Sequence, residues 1–142
     1  MKNRRIIIIL LSLALLVIGL AGCSDFWSLD LNNPVQYTAN TRFLVMADGE
    51  DPLDARTQVE QIFTKWKYRV TTSENTNANT LYVIISYEYL PEKEMCRSFT
   101  FVLRDAAGQD LKIGTYNGEK PLKDLLIDFD QFLGSSLLKL QI

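Results

Sequence analysis

Apolar residues follow three different rhythms along this chain. From Ile6 to Leu20 they form a 15-residue run broken only by Ser12 and Gly19. Further on, Ala55, Val59, Ile62, Phe63, Trp66 and Val70 recur at helical spacing, which predicts an amphipathic helix. Its start is marked by Asp51 before Pro52, with Asp54 in the first turn, and its end by Lys65, Lys67 and Arg69, whose charges suit the macrodipole. Leu122, Leu125, Leu126, Phe129, Leu133 and Leu137 trace a second helix, interrupted at Gly134.

The third rhythm is that of strands. Arg42–Ala47 (RFLVMA) is a short apolar run of strand length, and Tyr68–Ser73 (YRVTTS) reads as a strand after the first helix. The tract ENTNANT has the composition of an exposed loop. Thr80–Leu90 (TLYVIISYEYL) is rich in β-branched and aromatic residues, with Leu81, Val83, Ile85, Tyr87 and Tyr89 on one face. Tyr82 and Ile84 make its first half apolar on the other face too, so a central strand covered on both sides is expected there. Arg97–Arg104 alternates, the turn Asp105–Gln109 follows, and Asp110–Tyr116 alternates again, which predicts a hairpin. The order is β-α-β-β-β-β-α, an α/β (α+β) fold. It implies one mixed β-sheet of about five strands, a parallel pair joined by a crossover, and two amphipathic helices mainly on one face. Residues 24–40 (SDFWSLDLNNPVQYTAN) show no sustained period and read as a tether, leaving 41–142 as a single domain. Phe26 and Trp27 in that tether have two readings, headgroup contact or packing on the domain.

The first 22 residues are a separate matter. Lys2, Arg4 and Arg5 precede the apolar run, which is short of the ~20 residues that span a bilayer. A secretory signal peptide fits better than an uncleaved anchor helix, because Ala21 and Gly22 are small residues at a cleavage position. The stretch Leu20-Ala21-Gly22-Cys23 resembles the bacterial lipobox. The resemblance implies cleavage between Gly22 and Cys23, diacylglycerol on the Cys23 thiol and acylation of its amine. It also implies, through Ser24 rather than Asp at the next position, sorting to the outer membrane. Several acyl chains anchor stably, whereas one at about 0.8 kcal/mol per buried methylene binds only marginally.

Removing the signal changes the charge. The mature chain keeps all seventeen acidic residues but twelve of the fifteen basic ones, a side-chain balance of −5. Such a domain is not built to bind nucleic acid through bulk charge. With Cys23 lipidated, Cys96 is the remaining thiol, so an internal disulfide has no second partner. The chain contains no His, so the usual proton shuttle, metal ligand and triad base are missing.

The remaining candidates each have a structural reading beside a chemical one. Asp48, Glu50, Asp51 and Asp54 could converge on calcium, but a turn and a helix start account for them without any ion and are the expected reading. Asp124, Asp128 and Asp130 read as an exposed helix face rather than a carboxylate pair across a cleft. Tyr82, Tyr87, Tyr89 and Tyr116, with Phe99 and Phe101, read as sheet packing before sugar stacking, and Trp66 as core. Arg97 and Arg104, seven residues apart in a strand, are expected on opposite faces. No metal site, cofactor or catalytic residue is assigned.

The strand–helix–strand, the strand NTLYVIISYEY (Asn79–Tyr89) and the hairpin FVLRDAAGQDLKIGTY (Phe101–Tyr116) resemble small α/β envelope lipoproteins of the DUF4136 kind, over roughly residues 37–133. That likeness implies a fold, since the group shares no common activity. The expectation is a non-enzymatic, lipid-anchored accessory protein of the cell envelope, facing the periplasm and engaging an envelope protein partner. The alternative is a small-ligand or lipid-binding module using space between sheet and helices.

Overall fold

The computed structural model describes residues 25–141, so Gly22, Cys23 and Ser24 lie outside the described residues. Within it the elements run β1 (Phe26–Ser28), β2 (Val35–Tyr37), β3 (Arg42–Ala47), α1 (Ala55–Lys65), a 3₁₀ turn at Ser73–Asn75, β4 (Thr80–Leu90), β5 (Met95–Arg104), β6 (Asp110–Asn117), β7 (Glu119–Lys120), α2 (Leu122–Gly134) and β8 (Leu138–Leu140). The fold is α+β. A mixed six-stranded sheet has the order β1-β6-β5-β4-β3, with β7 beside β5, and β2 pairs β8 in a separate parallel ribbon. The parallel pair is β3–β4, joined through α1, and the remaining pairs of the large sheet are antiparallel.

Both helices lie over the same sheet face. Val59 and Phe63 of α1, and Leu125, Phe129 and Leu133 of α2, are buried against Phe43, Val45, Val83, Ile85, Phe99, Phe101 and Leu103. Phenylalanine rings stitch the layers together: Phe63 meets Phe43 at 5.0 Å between centroids, and Phe129 meets Phe101 at 5.0 Å. Each such ring buries on the order of 150–250 Å² of surface, the main source of stability here. β6 can come close beneath this layer because residue 114 is Gly; a Cβ there would stand 2.4 Å from the Phe101 ring.

Several expectations need correction. Tyr68–Ser73 is not a sheet strand. Its contact is a single bridge between Val70 and Phe43, with the Phe43 N–H donating to Arg69 O (2.7 Å) and the Thr71 N–H to Phe43 O (2.9 Å). After Lys67, which takes a left-handed turn (φ 67°), this segment gives Tyr68 and Val70 to the core, and the 11-residue β4 takes the place beside β3.

The segment read as a tether is built into the fold from Asp25 onward. β1 pairs with β6, and β2 with β8. Trp27 sits among Phe99, Phe101, Tyr116 and Phe132, with centroids 5.1–6.1 Å away, so of its two readings packing is the one observed. The loop after β1 is held by Lys112, whose buried ammonium donates to the carbonyls of Asp30 and Asn33.

Trp66 is not core either. The α1 helix ends before it, the residue is 42% exposed, and its ring lies over Gly134 at the end of α2. The fourth correction concerns the arginines. Ser98, with φ 56°, forms a bulge in β5 where the pairing with β4 shifts between Ser86 and Glu88. One extra residue in the strand reverses the alternation, so Arg97 and Arg104 face the same side. They still form no patch, because Glu88 neutralises one at 2.8 Å and Asp110 the other at 2.6 Å.

Candidate functional site

Four of the acidic candidates, Asp51, Asp54, Asp128 and Asp130, hold the fold together through hydrogen bonds. Asp51 caps α1 from one turn away, accepting from the N–H groups of Ala55 (2.7 Å) and Arg56 (3.0 Å), and its Oδ1 also accepts from the Tyr87 hydroxyl. Burial alone would raise the Asp51 pKa, but the Tyr87 hydroxyl and the two backbone donors outweigh it and hold the carboxyl below its usual value. Desolvation, followed by the same bond to Asp51, pushes the Tyr87 phenol well above its ordinary range. Asp54, in a left-handed conformation at the helix start, accepts from the Thr57 hydroxyl at 2.9 Å.

On α2 the aspartates are not merely a solvated face. Asp128 accepts from Trp27 Nε1 (2.9 Å) and Lys120 Nζ (2.7 Å), tying β1 and β7 to the helix. Asp130 accepts from Lys65 and from Trp66 Nε1 (2.6 Å), joining the two helix ends. The Lys65 ammonium is the main reason its carboxyl sits below the usual range. Among the described residues no three His, Cys, Asp or Glu are grouped to hold a metal ion. Cys96 is fully buried, and desolvation pushes its thiol up to about 11. That keeps it protonated and unreactive at neutral pH.

Cavities tell a similar story. The space between sheet and helices is filled by Phe43, Phe63, Phe99, Phe101 and Phe129, each at most 1% exposed. A cleft of about 580 Å³ is wide open and lies between the loop Thr76–Ala78 and the hairpin turn Asp105–Ala107, beside Tyr82.

What remains is the second face of the sheet. The cross-strand registers place Met46, Ile84, Val102 and Ile113 side by side on β3, β4, β5 and β6. At about 4.8 Å per strand, this apolar row crosses roughly 14 Å. Among the described residues no helix covers it, and Met46 and Ile113 are 40% and 53% exposed at its two ends. One flank is a row of hydroxyls, Ser86, Thr100, Thr115 and Ser28, in which Thr100 and Thr115 oxygens are 3.2 Å apart. The other flank carries Leu44, Tyr82 and the Arg104–Asp110 pair.

This corrects the expectation of a β4 covered on both sides. Ile84 and Tyr82 are half-buried by their strand neighbours alone. The sequence signals this surface only through Tyr82 and Ile84, since an apolar row across four strands appears only once the registers are known.

The row meets an open strand edge. The outer side of β3 is closed at Phe43 by Arg69 and Thr71, but towards Ala47 it borders a groove of about 350 Å³ lined by Arg56, Glu60 and Thr71–Ser73. Backbone groups alternate between the two edges of a strand, so those of Val45 point to the same side as those of Phe43. β3 is therefore an edge strand of the large sheet. In the hairpin, β5 lies between β4 and β6, and β1 covers Thr115–Asn117 of β6, leaving the outer side of Asp110–Gly114 without a paired strand among the described residues.

No protein-family model matches the chain, and no curated protein sequence matches it. Among solved structures, a dodecameric PelC variant from Paraburkholderia phytofirmans is similar in fold, with a TM-score of 0.52 and 14% identity. The match covers 82% of this chain and 99% of that one. At that identity the likeness concerns the fold alone.

Proposed function

We propose that this protein is a lipid-anchored, non-catalytic accessory protein of the bacterial cell envelope, held at the outer membrane through Cys23 and facing the periplasm. Its task is to engage a membrane-associated protein partner through the uncovered sheet face and the adjoining β3 edge. The observation that carries this reading is the uncovered apolar row Met46–Ile84–Val102–Ile113, lying next to a strand edge that can accept another strand. Confinement near one leaflet raises the local concentration of such a partner, so a modest interface suffices. Lipidation rests on the lipobox residues Leu20–Cys23.

Copies of the chain itself are a second class of partner. The fold neighbour is a dodecamer, and a flat apolar row beside an open edge is also a surface through which identical subunits can meet. The ligand-binding alternative gains nothing from the interior, which phenylalanines fill.

Crosslinking of the lipidated protein in its membrane, with capture and mass spectrometry and Cys23→Ala as control, tests both. A discrete envelope protein, weakened without the lipid, supports the accessory role. A ladder of multiples of the chain supports self-assembly. Monomer alone, with an extractable small molecule, overturns the reading in favour of ligand binding.

A further inference from the structure

A lipid anchor says which surface a protein visits but not how the protein stands on it. Here the folded part begins almost at the anchor. Cys23 is two residues before Asp25, whose side chain lies against Gly118, and three before β1. Two extended residues span at most about 7 Å, so the first residue of the fold is held at headgroup level.

The registers then show which end that is. Phe26 pairs with Asn117 at the end of β6, and the same end carries Ser98, the Arg97–Glu119 pairing and the turn Pro91–Glu94 between β4 and β5. The starts of β3 and β4 (Arg42, Thr80), the loop Glu74–Asn79 and the hairpin turn Asp105–Gln109 are at the opposite end. At ~3.3 Å per residue the two ends of β4 are separated by roughly 30 Å.

The geometry points to an upright domain: the end formed by Phe26, Gly118 and the Pro91–Glu94 turn rests on the lipid headgroups, and the Asp105–Gln109 turn projects into the periplasm. This rests on Cys23 being lipidated. Phe26, 51% exposed beside the anchor, is an aromatic placed at interfacial depth. The charges at this end favour neutral headgroups. Lys93 is paired with Glu119 and Arg97 with Glu88, while Glu92 and Glu94 enter no ion pair among the described residues. Bulk attraction to anionic lipid is therefore absent, and the covalent anchor sets the orientation.

The competing posture lays the open sheet face on the bilayer. Charged pairs stand at both ends of that face, Arg104–Asp110 and Arg97–Glu88, and the hydroxyl row crosses it, so hydrocarbon contact would strip water from all of them. Standing upright leaves the sheet face and the β3 edge free in the periplasm, where a protein partner can reach them.

The test uses the full-length lipidated protein in phosphatidylethanolamine vesicles that carry a headgroup-linked quencher. Glu92→Cys and Ala106→Cys each receive a fluorophore. Both positions are exposed, whereas the buried Cys96 thiol does not compete for the label. Quenching should be several-fold stronger at position 92 than at 106. Ten Gly/Ser residues inserted between Ser24 and Asp25, with a root-mean-square reach of about 17 Å, should erase most of that contrast. Equal quenching at both positions, with the acyl chains confirmed by mass spectrometry of the N-terminal peptide, overturns the orientation alone. A mature N terminus lacking acyl chains overturns the anchoring and the orientation with it.

Discussion

The two faces of the central sheet are made from alternate residues of the same strands, yet their energetics differ. On the helix side, Val83, Ile85, Phe101 and Leu103 are at most 1% exposed, because α1 and α2 seal them. On the other side, Ile84 and Val102 are shielded only by cross-strand neighbours, and Met46 and Ile113 are open at the ends of the row. Equal hydrophobicity therefore does different work. Where a second layer is present it becomes stability; where none is described it remains exposed apolar surface.

The comparison is tested most severely by truncating one residue on each face. Phe101→Ala should cost about 3–5 kcal/mol, since the ring contacts Phe129 and Trp27 and its removal leaves a cavity. Val102→Ser, the next residue and on the open face, should cost about 1 kcal/mol or less. Urea unfolding of the two variants decides the matter, and equal losses would break the distinction. Gly114→Ala should fall between them at about 1–3 kcal/mol, because its Cβ would be pressed into the Phe101 ring from the strand side.

Legibility followed the same division. α1 and β3–β6 were readable because each buries a continuous stripe of its own, at period 3.6 or 2. The same holds for the helices' shared face. Less readable were elements whose partners are distant in sequence. Trp27, Leu29 and Leu31 do alternate, but three apolar positions ending in Asn-Asn-Pro look like a linker until Tyr116, Asp128 and Lys112 are brought beside them. Conversely, Tyr68–Ser73 had strand composition but lost its place in the sheet to β4. The arginine placement failed on a single bulge at Ser98, which strict counting cannot foresee. In the candidate surface, Ile84 and Tyr82 were visible as an anomaly, and the row they belong to was not.

The start of α1 gives a smaller effect with a definite sign. Asp51 has a depressed folded pKa, so its capping stability is present above the unfolded carboxylate value of ~3.9 and is lost as pH falls through the folded value. Acid titration should therefore loosen the Asp51–Tyr87 contact and the first turn of α1 below about pH 4. Asp51→Asn, which keeps the shape but removes the charge, should cost about 0.5–2 kcal/mol at pH 7 and flatten that acid limb. Hydrogen exchange at Ala55 and Arg56 reads both outcomes. An unchanged acid limb in the variant would mean that other carboxylates, such as Asp130 with Lys65, carry the transition.

The smallest effect on stability should accompany the largest on association. Ile113 projects from β6 at the end of the apolar row, opposite Val102, and is more than half exposed. Ile113→Lys removes little buried area and introduces a charge that water can solvate, so folding stability should change by no more than about 0.5 kcal/mol. If the row is the contact surface, that ammonium is desolvated against an apolar partner without a counter-charge, and crosslinking in the membrane should fall sharply while lipidation and abundance stay the same. Ile127→Lys, at a 54% exposed position of α2, serves as the matched surface control and should leave crosslinking intact. Loss of crosslinks in both variants would point to bulk charge. Loss in neither would move the contact away from the sheet face, to the β3 edge near Val45 or the end that carries the Asp105–Gln109 turn.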